Sequence, residues 1–71
     1  MQEYQQRVVD EKKVLDDKLR ALNGFLSGEL VTTIRADEQY RMARQAEIME
    51  RYSRILGERI KFFEEQDKEG M

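Results

Sequence analysis

The chain contains no cysteine, histidine, proline or tryptophan. Without cysteine and histidine it cannot form a disulfide, present a thiolate nucleophile or assemble a zinc site of the usual ligand types. Hydrolytic triads that use a histidine base are excluded for the same reason, and the sequence has no glycine-rich phosphate loop. We therefore expect a protein that is not an enzyme and that needs no cofactor.

Long apolar runs and a strong excess of one charge are also missing. No stretch approaches the length of a membrane span, and the first residues lack the apolar core of a signal peptide. Charged residues make up 39% of the chain, but the net charge is only −2. An isoelectric point near 5.2 argues against nucleic-acid polymers, which usually require a strongly basic face. We expect a cytoplasmic protein that binds neither membranes nor nucleic-acid polymers.

Helical periodicity is the main positive signal in the sequence. Apolar residues recur at steps of three and four, which predicts a first helix over residues 2–27 and a second, longer helix over residues 35–66. Residues 28–34 form the connector, and residues 67–71 are expected to be a frayed tail. Because two helices with a short connector pack antiparallel, the sequence predicts one all-α, two-helix hairpin domain over residues 1–71.

The connector and the helix ends carry more local predictions. Gly28 is a candidate for a left-handed residue that ends the first helix. The β-branched run Val-Thr-Thr-Ile that follows favours an extended turn. Thr33 is a candidate cap for the second helix. Gly57 lies inside the second helix, where a glycine costs about 1 kcal/mol relative to alanine, so we expect a close helix crossing or a slight kink there.

The second helix has two apolar rows with seven-residue spacing. The first row is Met42, Met49, Leu56 and Phe63. The second row, which we call the outer apolar line, is Ile48, Ile55 and Phe62. One partner helix covers only one row, and a chain this short is often marginal alone. The sequence therefore predicts a homo-oligomeric helical bundle in which the outer apolar line is the interface.

A polar row lies beside the apolar residues of each helix, again with seven-residue spacing. The members are Tyr4, Glu11 and Lys18 in the first helix and Gln45, Tyr52 and Arg59 in the second. If the turn is centred near residues 31–32, facing residues have numbers that sum to about 63. This register predicts contacts of Tyr4 with Arg59, of Glu11 with Tyr52, and of Lys18 with Gln45. One interpretation is that these polar groups only fix the register of the two helices.

The other interpretation is a ligand pocket at a subunit boundary. A tyrosine ring can stack on a base, and arginine and lysine can hold phosphate. The candidate ligand-binding residues are Lys18, Arg44, Gln45, Tyr52 and Arg59. The second helix also carries a cluster of arginines, Arg41, Arg44, Arg51 and Arg54. This cluster is either a solvated face paired with glutamates such as Glu47 and Glu50 or, if symmetry joins several copies, an anion site.

Two segments, EYQQRVVDEKKVLDDKLRALNGFL and RMARQAEIMERYSRILGERIKFF, carry a resemblance to a known group of proteins. They resemble a family of small tailed-phage proteins related to crAss-like phages. The matching residues are Tyr4, Gln5, Arg7, Val8, Leu15, Asp16, Lys18, Gln45, Met49, Tyr52, Ser53, Ile55, Leu56, Arg59 and Ile60. The chain departs from the family pattern at Ile34-Arg35-Ala36, where the family has a proline and an acidic turn. The resemblance implies a phage protein made in the cytoplasm of a bacterial host.

Three functions are compatible with these features. Small helical phage oligomers include proteins that sequester nucleotide signals of bacterial defence, an analogy of architecture that favours a non-enzymatic counter-defence protein. Such a protein would hold a small anionic, nucleotide-derived immune signal in pockets between subunits. Alternatively, the outer apolar line docks on a host protein and inhibits it, as amphipathic helices do in grooves. The third hypothesis is a structural component of the phage.

Overall fold

The hairpin is visible in a computed structural model, which describes residues 1–69. Helix α1 spans Glu3–Leu26, a 3-10 turn spans Leu30–Thr33, and helix α2 spans Ala36–Glu69. The two helices pack side by side in opposite directions and form a rod of 55 × 16 × 14 Å. The all-α class and the helical hairpin are thus confirmed, whereas the homo-oligomeric bundle stays a prediction.

Helix α2 is longer than the sequence pattern indicated. It continues through Glu69, three residues beyond the expected end at residue 66, whereas Gly70 and Met71 of the expected frayed tail lie outside the described residues. The segment after Phe63 is rich in glutamate, glutamine and lysine, which favour a helix even without an apolar partner. Neither helix in the part of the chain that the structure describes is long and apolar enough to cross a membrane.

The connector is tighter than predicted, and three expectations about it are wrong. No glycine among residues 1–69 has a positive φ, so Gly28 is not a left-handed stop. Helix α1 ends at Leu26, and Ser27 caps it through a hydroxyl that donates to the Asn23 carbonyl at 2.9 Å. The β-branched run is a 3-10 turn instead of an extended one, because the hydroxyls of Thr32 and Thr33 donate to the carbonyls three residues earlier at 2.7 Å. Since the Thr33 hydroxyl is engaged with Leu30, it does not cap α2.

The core lies along the line where the two helices meet. Val8, Leu56 and Phe63 are buried there, and Leu15 and Ile60 pack against them. Leu56 is the most enclosed of these side chains, with 1% of its surface exposed. The row that begins at Met42 is therefore the one that faces α1, as its spacing predicts, while the outer apolar line faces away from α1.

The predicted register is correct at one of its three contacts. Tyr52 donates a hydrogen bond to the carboxylate of Glu11, as expected. Tyr4 does not meet Arg59; its ring packs edge-on against Phe63, one helical turn further along α2, with 5.6 Å between the ring centroids. Lys18 and Gln45 make no hydrogen bond within the described part of the hairpin; the amide of Gln45 approaches the sulfur of Met49 instead, at 3.8 Å.

Packing explains the register better than the position of the turn does. The Tyr4 ring gains an aromatic partner at Phe63, a contact worth about 0.5–1.5 kcal/mol beyond the area that it buries. At the start of α1 the adjacent Gln5 is buried. Its side-chain oxygen Oε1 accepts a hydrogen bond from the backbone N–H of Gln2 at 2.9 Å. The open end of the hairpin is thus fixed by side-chain contacts that the connector length does not determine.

Candidate functional site

An open groove of about 480 Å³ runs between the two helices on one side of the hairpin. Its lining residues are Arg7, Asp10, Glu11, Val14, Leu15, Lys18 and Tyr52. All of them except Tyr52 come from α1. These residues are three, four or seven positions apart and therefore share one side of that helix. The groove has an apolar floor with charged side chains along its edges.

Tyr52 is the contribution of α2 to this groove. Its hydroxyl donates to Oε2 of Glu11, and 43% of the residue is exposed. The hydrogen bond to the Glu11 carboxylate raises the pKa of the Tyr52 phenol above its usual value, with smaller contributions from burial and from the Glu11 charge. The contact holds the phenol in its neutral form and fixes the ring at the edge of the groove, where a planar ligand can stack on it.

The charges of the groove nearly cancel. Arg7 forms an ion pair with Glu3 at 2.9 Å, and Asp10 accepts a hydrogen bond from the Gln6 amide at 3.1 Å. Among the side chains of residues 1–68, Lys18 has no ion-pair partner and is the groove cation most available to a ligand. Two cations and two carboxylates line one groove, so a single copy offers only a weak net attraction for an anion.

The structure brings together only two of the five predicted ligand-binding residues, Lys18 and Tyr52. The guanidinium of Arg44 lies 5.7 Å from the ring centroid of Tyr40, outside the groove. Gln45 also lies outside the groove, next to Met49. Arg59 lies over the ring of Phe63 at 5.8 Å, yet it is close enough to Tyr52 for its charge to oppose the rise in that residue's pKa.

Arg7, Asp10 and Val14 line the groove but were not predicted from the sequence. A signal for two of them was present. Arg7 and Val14 are seven residues apart, and each lies four residues before a member of the polar row of α1, Glu11 or Lys18. These two rows are therefore neighbours on one helix surface, and a site on one of them extends onto the other.

A second polar cluster joins the two helices from the opposite side of the hairpin. The Lys12 ammonium lies 2.7 Å from Oδ2 of Asp16 and 3.2 Å from the Ser53 hydroxyl, which in turn donates to Oδ1 of Asp16. The hydrogen bonds from Lys12 and Ser53 hold the pKa of the Asp16 carboxyl below its usual value. Sequence reasoning missed this cluster, because neither Lys12 nor Ser53 belongs to the polar rows with seven-residue spacing.

The Lys12–Asp16–Ser53 cluster is a structural contact between the helices. Its polar groups satisfy one another, because Lys12 and Ser53 both donate to the carboxylate of Asp16. A slip of either helix would separate Lys12 from Ser53. The register role that the sequence suggested for the polar rows is thus shared between the Glu11–Tyr52 contact and this different set of residues.

The predicted interface and the arginine cluster are both on the outer surface of α2. Ile48, Ile55 and Phe62 are exposed by 58%, 53% and 58% respectively. The arginines are mostly paired within their own helix: Arg41 with Glu38 at 2.8 Å, Arg51 with Glu47 at 2.8 Å and Arg54 with Glu50 at 3.7 Å. In one copy of the chain this cluster is a salt-bridged, solvated face, as the first of the two interpretations predicts.

Comparison with known proteins identifies a family for this hairpin. A family model described as Sequestin matches residues 2–62, which include all of α1, the connector and most of α2. No curated protein and no solved structure matches the chain. The match fits the expected small phage-type protein, whereas the specific relation to crAss-like phages stays a prediction. Because the matched segment covers most of its length, the chain belongs to the Sequestin family.

Proposed function

We propose that this protein is a non-enzymatic binding protein that sequesters a small nucleotide-derived signal in its groove. The observation that carries the proposal is the side-chain set of the groove, which combines the exposed ring of Tyr52 with the unpaired ammonium of Lys18. The family name supports the same direction, since it denotes sequestration. In the cytoplasm of an infected bacterium, such binding would withdraw an immune signal from its receptor.

The chemistry of the groove matches the parts of a nucleotide. The Tyr52 ring and the apolar side chains of Val14 and Leu15 offer a surface for the flat face of a base. Lys18 and Arg7 offer cations for a phosphate, and the carboxylates of Asp10 and Glu11 can accept hydrogen bonds from ribose hydroxyls or an exocyclic amine. The same carboxylates disfavour a highly charged polyphosphate, so the groove suits a compact ligand of low charge unless a second copy adds cations.

Calorimetric titration with cyclic dinucleotides, cyclic trinucleotides and ADP-ribose-type compounds tests the proposal. We expect one of these classes to bind, and we expect Lys18→Ala and Tyr52→Ala each to weaken that binding by at least tenfold, which corresponds to about 1.4 kcal/mol. The matched control is Lys61→Ala, which removes an exposed lysine of α2 outside the groove and should leave the affinity unchanged. The absence of binding heat with every class would contradict the proposal.

Sequestration also requires that the ligand survives. A bound ligand should be recovered intact when the loaded protein is denatured by heat, because the groove holds no histidine or cysteine and its two carboxylates already accept hydrogen bonds from Gln6 and Tyr52. Liquid chromatography with mass spectrometry of the released compound measures this. Recovery of a hydrolysed or rearranged product would show an enzyme instead of a binding protein.

A second candidate function follows from the exposed outer apolar line. If this surface inhibits a host protein, a tagged chain should capture one partner in stoichiometric amount from bacterial lysate. Ile55→Asp should abolish the capture, because it places a charge in the middle of the apolar line, whereas Lys18→Ala should not affect it. Retention of a small molecule without a protein partner would favour sequestration.

A further inference from the structure

The outer apolar line of α2 has the form of half an interface. Ile48, Ile55 and Phe62 are spaced by seven residues, and each is more than half exposed. A helix presents such a line to a partner when another helix packs along it. Ile55 lies at the centre of the line, so a second copy that runs in the opposite direction would place Ile55 against Ile55 and Ile48 against Phe62.

A row of charged residues with seven-residue spacing lies along one edge of the outer apolar line, and the order of its charges favours one orientation of a second copy. The row is Arg44, Arg51, Glu58 and Glu65, with two cations followed by two anions. Within residues 1–68, neither Glu58 nor Glu65 forms an ion pair, whereas Arg51 is paired with Glu47 of its own helix at 2.8 Å and can share its guanidinium with a second carboxylate. When two copies run antiparallel about Ile55, Arg51 of each copy faces Glu58 of the other, and Arg44 faces Glu65. The charge row is thus complementary to itself in the same register that aligns the apolar line.

A parallel pair makes poorer use of these charges. A two-fold axis along the helices sets the charge row against the residues on the other edge of the line, which are Gln45, Tyr52, Arg59 and Gln66. Arg44 then faces Gln45 and Glu65 faces Gln66, so only Glu58 meets an opposite charge, at Arg59. Four ion pairs form in the antiparallel pair and two in the parallel pair. Because exposed ion pairs are individually weak, they select the orientation while the apolar line provides the affinity.

We propose that a second copy of this chain packs on the outer apolar line in antiparallel orientation, with Ile55 at the two-fold axis, and that Arg59 of each copy lies beside Tyr52 of the other. The edge formed by Gln45, Tyr52, Arg59 and Gln66 faces the same edge of the second copy. Tyr52 lines the groove, so the pairing brings a cation from the second copy to the groove wall.

This pairing changes the electrostatics of the groove. An antiparallel two-fold axis leaves both α1 helices on the same side of the α2 pair, so the two grooves open next to each other. Each groove, whose own charges nearly cancel, then borders Arg59 of the second copy, and no described carboxylate of its own chain pairs with that residue. The role of Arg59 in holding an anion rests on the proposed function, whereas the pairing itself does not.

Disulfide trapping tests the orientation directly, because the natural chain has no cysteine. Full-length Ile48→Cys and Phe62→Cys variants, mixed in equal amounts and oxidised without nucleotide, should form mainly the mixed disulfide, which intact mass identifies because the two variants differ in mass. A mixture of Ile48→Cys with Lys61→Cys is the control, since Lys61 lies on another side of α2 and should not cross-link above background. A predominance of Ile48→Cys homodimers would overturn the proposal in favour of a parallel pair, and cross-linking no higher than the control would overturn any pairing on this face.

Charge exchange gives a second, non-covalent test by native mass spectrometry and sedimentation. Arg51→Glu alone and Glu58→Arg alone should each raise the dimer dissociation constant about tenfold, and the double variant should restore it, because the exchanged charges meet again only in the antiparallel register. Circular dichroism checks that each variant remains helical. Failure of the double variant to restore the dimer would refute the register. If the dimer forms but no nucleotide binds, the proposed function fails and the pairing stands; if nucleotide binds to a monomer, the pairing fails alone.

Discussion

Gly57 and Lys12 provide a sharp test of how the two helices touch. Gly57 lies inside α2, where Lys12 of α1 crosses it: a Cβ at position 57 would lie 3.3 Å from Cε of Lys12. A Cβ at Gly24, near the end of α1, would meet nothing within 4 Å. Replacement of each glycine by alanine adds the same methyl group to a helix, with a neighbour in one case and without one in the other.

The expected magnitudes follow from these surroundings. Alanine is favoured over glycine in a helix interior by about 1 kcal/mol, and by less near a helix end. Gly24→Ala should therefore stabilise the fold by about 0.5 kcal/mol. Gly57→Ala gains the interior value but pushes Lys12, whose ammonium is held by Asp16 at 2.7 Å and by Ser53 at 3.2 Å. We expect a net gain of about 0.5 kcal/mol, because the Lys12 side chain can shift by a few tenths of an ångström.

Urea unfolding followed by circular dichroism measures these changes, at one fixed protein concentration because self-association would add to the apparent stability. The decisive comparison repeats Gly57→Ala in a chain that carries Lys12→Ala. Removal of Cε clears the space, so the gain from Gly57→Ala should rise to about 1 kcal/mol. If Gly57→Ala destabilises the fold equally in both backgrounds, Lys12 is not the neighbour that matters, and the described crossing is wrong.

Three further predictions concern the core, the polar cluster and the groove. Leu56→Ala should lower the free energy of unfolding by about 2–5 kcal/mol, and Met49→Ala should lower it by clearly less, because Met49 is on the same row but only half-buried. Urea unfolding measures both values, and the reverse order would contradict the described core. Because the pKa of Asp16 is lowered on folding, the stability that this carboxylate adds is present above its unfolded pKa near 4 and is lost as the pH falls through its folded pKa. The difference in unfolding free energy between the natural chain and Asp16→Asn should therefore shrink in acid. A difference that does not depend on pH would refute the assignment. NMR titration of ¹³C-labelled tyrosine should find the pKa of Tyr52 above 10, and Glu11→Gln should lower that pKa. An unchanged pKa in Glu11→Gln would show that the described hydrogen bond does not form in solution.

Local periodicity made much of this molecule predictable. The seven-residue spacing groups Leu56 with Phe63 in one row and Ile55 with other residues in a second row; the structure buries the first row against α1 and leaves the second exposed. Both groupings hold because the side on which a residue lies depends only on its position within its own helix. The contact between Glu11 and Tyr52 was also predicted, from the register that centres the turn near residues 31–32.

Features that depend on both helices at once were less predictable. Tyr4 pairs with Phe63 and not with Arg59, because an aromatic contact at the open end outweighs the simple count from the turn. The cluster that includes Lys12 and Ser53 escaped prediction because neither residue belongs to the predicted polar rows, and their contact exists only when the two helices are placed side by side. Of the predicted ligand-binding residues, Arg59 lies outside the groove of its own chain although Tyr52 of the same row lines it, and its guanidinium lies over the ring of Phe63 instead.

The sequence by itself determined that this chain forms two helices, that each has one apolar row for the other, and that α2 keeps a spare apolar line. These are properties of a single helix, set by residue spacing. Only the tertiary structure decided the register, the polar cluster that fixes it and the position of the groove beside Tyr52. Register is the sum of many small contact energies between residues far apart in the chain, and alternatives one helical turn apart differ by only a few of those contacts.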